Sequence, residues 1–577
     1  MIKHIFSKIY SSIMRVHNQK TLFYFFLCVL LLPNIILAIT ESLTPLERVC
    51  NIVLPFGFYY LIVTMSKRLS WAILILFPIS LLAGVQLVLL YLYGRSVVAT
   101  DMFLNFITTD TAETMELMSN IYKILIVVLF LYIPPLIYAI IAMFKGQKLA
   151  VVFLRRNRYV AIGVVFVGLS LLAVCYASNE SYSLKKDVYP LNACYNMYKA
   201  VSRNDKLKNY RITSKDFKYN ATSSHAKDLR EIYVVVIGET SRAANWELYG
   251  YKRETNPKLK DVEDLILFER VLTEANITHK SVPMLLSSAS SVDFDKIYSQ
   301  KSMITAFKEA GFKTAFYSNH AHTQTLGDNF GSEADVCVYL RDTSDEEFLY
   351  DGQLVELMKS EIAKGAQKQL IVLHTYGSHF NYYSRYPLKS THFKPDSPIA
   401  ADKKHYKQLI NAYDNSIRYT DEILYDIIKY LESLKGVSSS MMYVSDHGEA
   451  LFDHGEDIVL HSSTSPTFYH LHVPMVMWCS SVYKEVYPDI IESLKSHRKT
   501  DISSSAAFFH TVLGISGIET IYRDDSYSLA SRSYMKRQYV YLNEQYNSEP
   551  VLHIDMSNTN NKLLYKFIRK GNVAPNR

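Results

Sequence analysis

No Cys-x-x-Cys pair occurs in this chain, and its six cysteines are scattered over 577 residues. That excludes a thiolate zinc cluster and a dithiol redox motif. Cys28, Cys50 and Cys175 fall in or beside long apolar runs. The remaining three, Cys194, Cys337 and Cys479, cannot all pair within one chain, so the C-terminal part must be held mainly by its core. There is no internal repeat and no low-complexity tract. No Arg/Lys-rich block with interleaved aromatics occurs either, so nucleic acid is not an expected partner. The net charge of +7 averages two unlike halves that meet near residue 178.

In the first third, five apolar runs reach membrane-spanning length: about 21–40, 49–65, 69–93, 120–144 and 159–177. Lys123 sits at the end of its run, where its ammonium can snorkel. The first run follows a basic stretch but lacks a small-residue cleavage site, so it reads as a retained helix. Lys3, Lys8, Arg15, Lys20, Lys67, Arg68, Lys145, Lys148, Arg155, Arg156 and Arg158 fall in loops on one side. Only Arg48 and Arg95 fall on the other. This bias puts the N-terminus in the cytoplasm, and an odd number of spans places everything after 178 outside, in a bacterium the periplasm.

Residues 1–177 thus form a transmembrane domain. Its outer loop, 94–119, mixes apolar and acidic positions and predicts a short helix at the membrane–water boundary. A polar connector, 178–224, carries Tyr182, Tyr189, Tyr195, Tyr198 and Tyr210 among lysines, which suits a membrane interface or a solvated linker. Residues 225–577 form the exported domain. Strand-like runs at 231–237, 264–270, 312–317, 335–340, 368–374, 439–445 and 473–479 alternate with helix-like runs. The helices are 281–289, 298–310, 350–364, 405–435 and 502–513. The alternation predicts an α/β fold with a mostly parallel sheet covered on both faces.

Residues 441–449, Met-Met-Tyr-Val-Ser-Asp-His-Gly-Glu, carry the strongest chemical signal. A buried strand delivers Asp446 and His447 at its C-terminal end, the edge where open α/β sheets bind ligands. A carboxylate beside an imidazole suits zinc or a similar divalent ion. A second strand ends in Gly238-Glu239-Thr240 and adds a carboxylate, which points to a metal-dependent enzyme. Pro283 fits the first turn of a helix, with Thr278 and Ser281 at or near its N-terminus. There, N–H groups favour an anionic phosphate, and a hydroxyl beside a metal would be an activated nucleophile. Simple capping is the alternative. His374 and His379 flank a Gly-Ser turn at another strand end. His379 could donate to a phosphoryl oxygen or protonate a leaving group, whereas His374 reads as structural. After His447 come His454, His461, His470 and His472, which invite a second metal or a phosphate-binding role.

Gly238-Glu-Thr-Ser-Arg-Ala-Ala-Asn245 with Arg253-Glu-Thr-Asn-Pro257 resembles the opening signature of the bacterial phosphoethanolamine transferases. His374-x-x-Gly-Ser-His379 with Arg385-Tyr-Pro, and Ser445-Asp-His-Gly-Glu449, are similar to later motifs of that family. The resemblance extends through the five spans. It implies an inner-membrane enzyme whose exported αβα sandwich is of the alkaline phosphatase/sulfatase type. By the same resemblance, Glu239, Thr278, Asp446 and His447 would be zinc ligands, with Thr278 the nucleophile. His379 and His461 would lie near the transferred phosphate, and Asn105, Thr109 and Glu113 of the outer loop would hold the donor lipid.

The implied reaction moves phosphoethanolamine from phosphatidylethanolamine to an envelope glycolipid, lipid A or the lipopolysaccharide core, through a phosphoethanolamine–threonine intermediate. The added ammonium would weaken attraction for cationic peptides such as polymyxin. Two departures stand out. The better-known lipid A–modifying members have cysteines flanking the nucleophile segment, where this chain has Glu274 and Met284. They also have a lysine after a strand-end Asn, where this chain has His320, His322 and Gln324 following Asn319. A phosphoglycerol transferase, or another metal-dependent phosphotransferase or hydrolase of this superfamily, is the alternative. A sulfatase is excluded by the lack of a Cys/Ser-x-Pro-x-Arg nucleophile motif. A non-catalytic membrane sensor is disfavoured by the retained metal residues, and a transporter by spans without buried ionisable residues.

Overall fold

Apolar runs of spanning length form helices throughout the N-terminal unit. The structure is a computed structural model that describes residues 19–570 apart from 42, 94–96, 109–110, 146–147, 181, 324, 344–348, 398–400, 402, 457, 462–465 and 555–558. The side chains of 92–93, 105–108, 111–121, 145 and 570 also lie outside the described set. Contacts divide the chain into two units, Met1–Leu104 with Thr114–Ser202, and Asn105–Glu113 with Arg203–Arg577.

In the first unit, α1 (Gln19–Thr40), α2 (Pro45–Met65), α6 (Thr111–Lys145) and α7 (Val151–Ser178) each contain a segment long and apolar enough to cross a membrane. The run expected as one span over 69–93 is broken into α3 (Leu69–Ile75) and α4 (Phe77–Tyr93), bent by 56°. Pro78 explains the break, because it has no N–H for the Leu74 carbonyl and its ring crowds that turn. Counting the bent pair as one gives five spans.

Several helices begin earlier than their apolar cores. Thr44 and Glu47 form a reciprocal capping box, which starts α2 at 45 rather than 49. The start of α7 at 151 takes Arg155, Arg156 and Arg158 out of the expected loop and into its first turns. Arg158 donates to the Thr64 carbonyl at 2.6 Å. The helix that carries the fourth span starts at 111, and the expected short helix precedes it as α5 (Thr100–Thr108).

Buried amides bind this bundle together. Asn157 accepts from the hydroxyls of Tyr24 (2.9 Å) and Tyr60 (2.5 Å). Asn34 donates to the Tyr189 carbonyl at 2.7 Å, and Asn51 to that of Asp187 at 2.6 Å. An unpartnered amide is costly where no water reaches, so these bonds dock the chain after α7 onto the helices. The expected connector is accordingly structured. It contains α8 (Leu191–Lys208), and Tyr182, Tyr189 and Tyr210 are buried, while Tyr198 is exposed.

The second unit is built on a seven-stranded sheet. Its strands are β1 (Glu231–Gly238), β2 (Ile266–Leu267), β3 (Lys313–Ser318), β4 (Val336–Tyr339), β5 (Lys368–His374), β6 (Ser438–Ser445) and β7 (Met475–Cys479). The spatial order is β2-β7-β6-β1-β5-β3-β4. Neighbours from β6 to β4 are parallel, and β7 runs antiparallel to both β6 and β2. All seven expected strands join this sheet. Alternation along β1 sends Tyr233, Val235 and Ile237 to one core and Ile232, Val234 and Val236 to the other. Both faces are buried, as a sheet covered on two sides requires.

Helices α9 (Thr278–Leu286) and α12 (Ser504–Ile515) cover the first face, and α10 (Gly352–Ala363) and α11 (Tyr406–Ser433) the second. Packing rather than covalent closure holds this unit. Cys479 lies inside the core, and all six cysteines are free.

Register fixes where chemistry can occur. In the central strand β1, Ile237 stands level with His374 of β5 and Val444 of β6. From β1 the chain runs to β2 at one edge, crosses to β3 and β4 on the other side, returns to β5 beside β1, and then crosses to β6 on β1's other flank. The C-terminal ends of β5, β1 and β6 therefore sit side by side at the switch point, where loops diverge and a crevice opens.

Candidate active site at the strand ends

Glu239 follows β1, Asp446 and His447 follow β6, and Thr278 opens α9. Glu239, Asp446 and His447 are fully buried, and one ligand atom from each lies within 4.8 Å of the other two. His447 Nε2 stands 3.3 Å from Glu239 Oε1 and 3.4 Å from Asp446 Oδ2. Thr278 Oγ1 lies 3.1 Å from Glu239 Oε2 and 3.3 Å from His447 Nε2.

Each group is held by local structure. The N–H groups of Thr240 and His447 donate to Asp446 Oδ1 at 3.1 and 2.6 Å, and Ser281 Oγ donates to Oδ2 at 3.1 Å. His447 Nδ1–H donates to the Gly448 carbonyl at 2.9 Å, which leaves the Nε2 lone pair facing the carboxylates. Gly377 packs its backbone on Glu239. It has φ +51°, and a Cβ there would come within 2.6 Å of the Glu239 carbonyl.

The donor set fits zinc. Tetrahedral bonds of roughly 2.0–2.1 Å put ligand atoms roughly 3.3 Å apart, close to the spacings above. Without a cation the arrangement is costly, since two carboxylates converge in a buried space. Burial pushes Asp446 up to about 6. Burial, aided by His461, also holds His447 well below the usual imidazole range. A neutral imidazole is the form that binds metal.

Comparison with known proteins gives this geometry a lineage. The sulfatase family model matches residues 231–518. Phosphoethanolamine transferase EptA of Salmonella typhimurium is 30% identical over 303 residues, 51% of this chain and 55% of that relative. The chain thus spans about half the length of that relative. The integral membrane protein lipooligosaccharide phosphoethanolamine transferase A (EptA) from Neisseria meningitidis has TM-score 0.69 at 21% identity, covering 88% of this chain and 98% of that one. The C-terminal periplasmic domain of EcEptC from Escherichia coli, in complex with Zn, has TM-score 0.53 at 22% identity, covering 59% and 98%. At these identities the two structures establish the fold of both units. The chain carries a sulfatase-type domain and is similar to the phosphoethanolamine transferases.

The other expected residues also gather at the crevice. The His461 ring centroid lies 4.5 Å from that of His447 and 5.4 Å from that of His379. His379 Nδ1–H donates to the Phe380 carbonyl at 2.7 Å, which puts the lone pair on Nε2. Burial, with His461 and Arg385 adding positive charge, holds His379 well below the usual imidazole range. A neutral His379 with its lone pair on Nε2 is a proton acceptor, so the expected roles as donor or general acid do not suit the free protein. Two of the later histidines make structural contacts. His470 accepts from the Thr467 N–H at 2.9 Å and reaches the Leu460 carbonyl at 2.8 Å, and His454 reaches the Tyr469 hydroxyl at 3.1 Å.

Two expectations shift. Pro283 is the sixth residue of α9 rather than part of its first turn, because the helix begins at Thr278 itself. His374 makes the structural contact expected of it, Nδ1 to Ser318 Oγ at 3.3 Å, yet its Nε2 is buried without a hydrogen-bond partner. Thr109 and the side chains of Asn105 and Glu113 lie outside the described set.

Sequence reasoning missed three supports. Arg242 is fully buried below the site, paired with Asp453 at 2.7 Å and donating to the Glu449 carbonyl at 3.0 Å. The Glu449 carboxylate, also fully buried, stands 3.4 Å from His461 Nδ1. Asp351 accepts from the N–H groups of Tyr376 and Gly377 at 2.8 and 2.9 Å and so fixes the loop after β5. Arg242 and Glu449 stood inside the matched motifs. Asp351 carried no local signal at all.

Proposed function

We propose that this protein transfers phosphoethanolamine from phosphatidylethanolamine to lipid A or another envelope glycolipid, through a covalent intermediate on Thr278. The observation that carries this reading is the position of Thr278 Oγ1. It lies at the N-terminus of α9, 3.1 Å from Glu239 Oε2 and 3.3 Å from His447 Nε2. The names of the similar proteins, lipooligosaccharide transferase among them, support the same transferred group and acceptor class.

Glu239, Asp446, His447 and Thr278 would hold zinc, which when bound lowers the pKa of the Thr278 hydroxyl and offsets phosphoryl charge. Thr278 gives its proton to solvent and forms an Oγ1–P bond as the P–O bond to diacylglycerol breaks, and the departing alkoxide takes a proton from solvent. The first N–H groups of α9 favour the anionic phosphate in that position. In the second half the acceptor oxygen attacks phosphorus, its proton passes to His379 Nε2, and the Oγ1–P bond breaks. His461, backed by Glu449, holds the acceptor beside His379. Asn105, Thr109 and Glu113 would hold the donor headgroup. The domain plan that serves this chemistry is a transmembrane domain, an interfacial connector and a periplasmic catalytic domain on the inner membrane, with the N-terminus cytoplasmic.

The test is mass spectrometry of purified protein, wild type and Thr278→Ala, after incubation with phosphatidylethanolamine or phosphatidylglycerol. A phosphoethanolamine adduct on Thr278, absent in the variant, is the expected result. A phosphoglycerol adduct would change the donor. No adduct in zinc-loaded protein that still turns over would remove the covalent intermediate.

A further inference from the structure

A second group of metal-type ligands stands on the other side of Glu239. One ligand atom from each of Glu239, His320 and His374 lies within 4.8 Å of the other two. His374 closes β5 and His320 follows β3, the neighbouring strand, so the register of the sheet brings them together. Their rings stack with centroids 4.2 Å apart. His374 is 8% exposed, and its Nε2 has no hydrogen-bond partner. A buried lone pair of this kind is costly unless something binds it.

The flanking contacts prepare both imidazoles as ligands. Ser318 Oγ accepts from the backbone N–H of His320 at 3.1 Å and stands 3.3 Å from His374 Nδ1. A proton on His374 Nδ1 then points at Ser318 and leaves the Nε2 lone pair for an ion. His320 Nε2–H donates to the Thr375 carbonyl at 2.9 Å, which leaves its own lone pair on Nδ1. Hydrogen bonds from the distal ring nitrogen to a hydroxyl or carbonyl are how proteins orient metal-binding histidines. His320 is half-buried, which gives an ion a way in.

We propose that Glu239, His320 and His374 form a second divalent-cation site, with the Glu239 carboxylate shared between the two ions. Two imidazoles and one carboxylate select a borderline ion such as zinc over magnesium or calcium, which prefer all-oxygen shells. The site is independent of which group the enzyme transfers, because it rests on the ligands alone.

The experiment is zinc counting by mass spectrometry on full-length protein in detergent, loaded with zinc and freed of excess by gel filtration. Wild type should carry two zinc ions per chain, and His374→Ala and His320→Ala one each. His320 lies on the loop after β3, so His320→Ala provides a reading should His374→Ala fail to fold. His447→Ala should also fall to one, and its remaining ion should disappear when His320→Ala is added. A single ion in wild type overturns the proposal. So do two ions that survive both His320→Ala and His374→Ala.

Discussion

On the β6 side of the crevice, every group around Thr278 is held from several directions. Asp446 takes two backbone N–H groups and the Ser281 hydroxyl, and His447 is pinned to its neighbouring carbonyl. On the β5 and β3 side three imidazoles line the opening, joined by His461 from the loop after β6, and each is steadied at a ring nitrogen. His379 bonds to Phe380, His320 to Thr375 and His374 to Ser318, and His461 stands against Glu449. One side is built to hold charge in a fixed place. The other offers lone pairs that can accept protons or an ion. A transfer reaction needs both, since the attacking oxygen must be positioned within a fraction of an ångström while the acceptor must enter and leave.

The comparison breaks first at Asp446. Asp446→Asn removes a ligand charge but keeps the shape, so metal content should fall and turnover should drop on the order of 10³-fold or more. Retained turnover with full metal content would show that the β6 side is scaffold only. Stripping the metal from wild type gives the next largest effect. A carboxyl raised from near 3.8 to about 6 contributes stability below its unfolded value that is lost as pH rises through its folded value. Over that window the metal-free protein should lose unfolding free energy as pH rises. Metal affinity rises over the same window as the ligands deprotonate. The gap in melting temperature between metal-free and zinc-loaded protein should therefore widen from about pH 4 to about pH 7. A gap independent of pH would mean that Asp446 is not at the metal.

The two sides also differed in how far the sequence reveals them. Asp446 and His447 were legible because an apolar run, Met441–Val444, ends directly before them and a sheet edge is where such groups act. Glu239 was legible by the same logic. The imidazole side was harder, since His320 comes from a strand distant in sequence and only register places it against His374. His461 was singled out by family resemblance, not by its own loop, and the structure places its ring beside His447. In the membrane unit, hydropathy located the helices but not the break at Pro78 or the extra turns of α2, α6 and α7. Those depend on capping and on proline chemistry, which average hydropathy does not register.

His379→Asn tests the second side. The amide keeps polarity and approximate volume but cannot take a proton, so turnover should fall roughly 10²-fold while zinc content stays at the wild-type level. The accumulated Thr278 adduct should increase, because only its discharge to the acceptor is slowed. If the adduct fails to form, His379 acts in the first half-reaction instead, and the division of labour between the two sides is wrong.

The smallest effect concerns the segment that carries Thr278 itself. At the position where the family resemblance implies a cysteine, Glu274 is almost fully buried and joins three separate stretches of chain. Its carboxylate accepts from the Ser291 N–H and the Ser503 hydroxyl, each at 2.6 Å. Its carbonyl accepts from the Leu542 N–H at 2.7 Å, which ties the C-terminal part of the chain to this segment. Glu274→Ala would leave two donors without their acceptor, at a cost of about 2 kcal/mol. The loss should be the same with and without zinc, and turnover per folded molecule should change less than about twofold, well inside the range expected of a structural contact. Chemical denaturation of both forms, with turnover measured in parallel, separates the cases. A large loss of turnover at unchanged stability would make Glu274 part of the catalytic machinery. The expected result would instead mark it as a polar clamp, which holds the Thr278 segment by hydrogen bonds where a disulfide could have held it covalently.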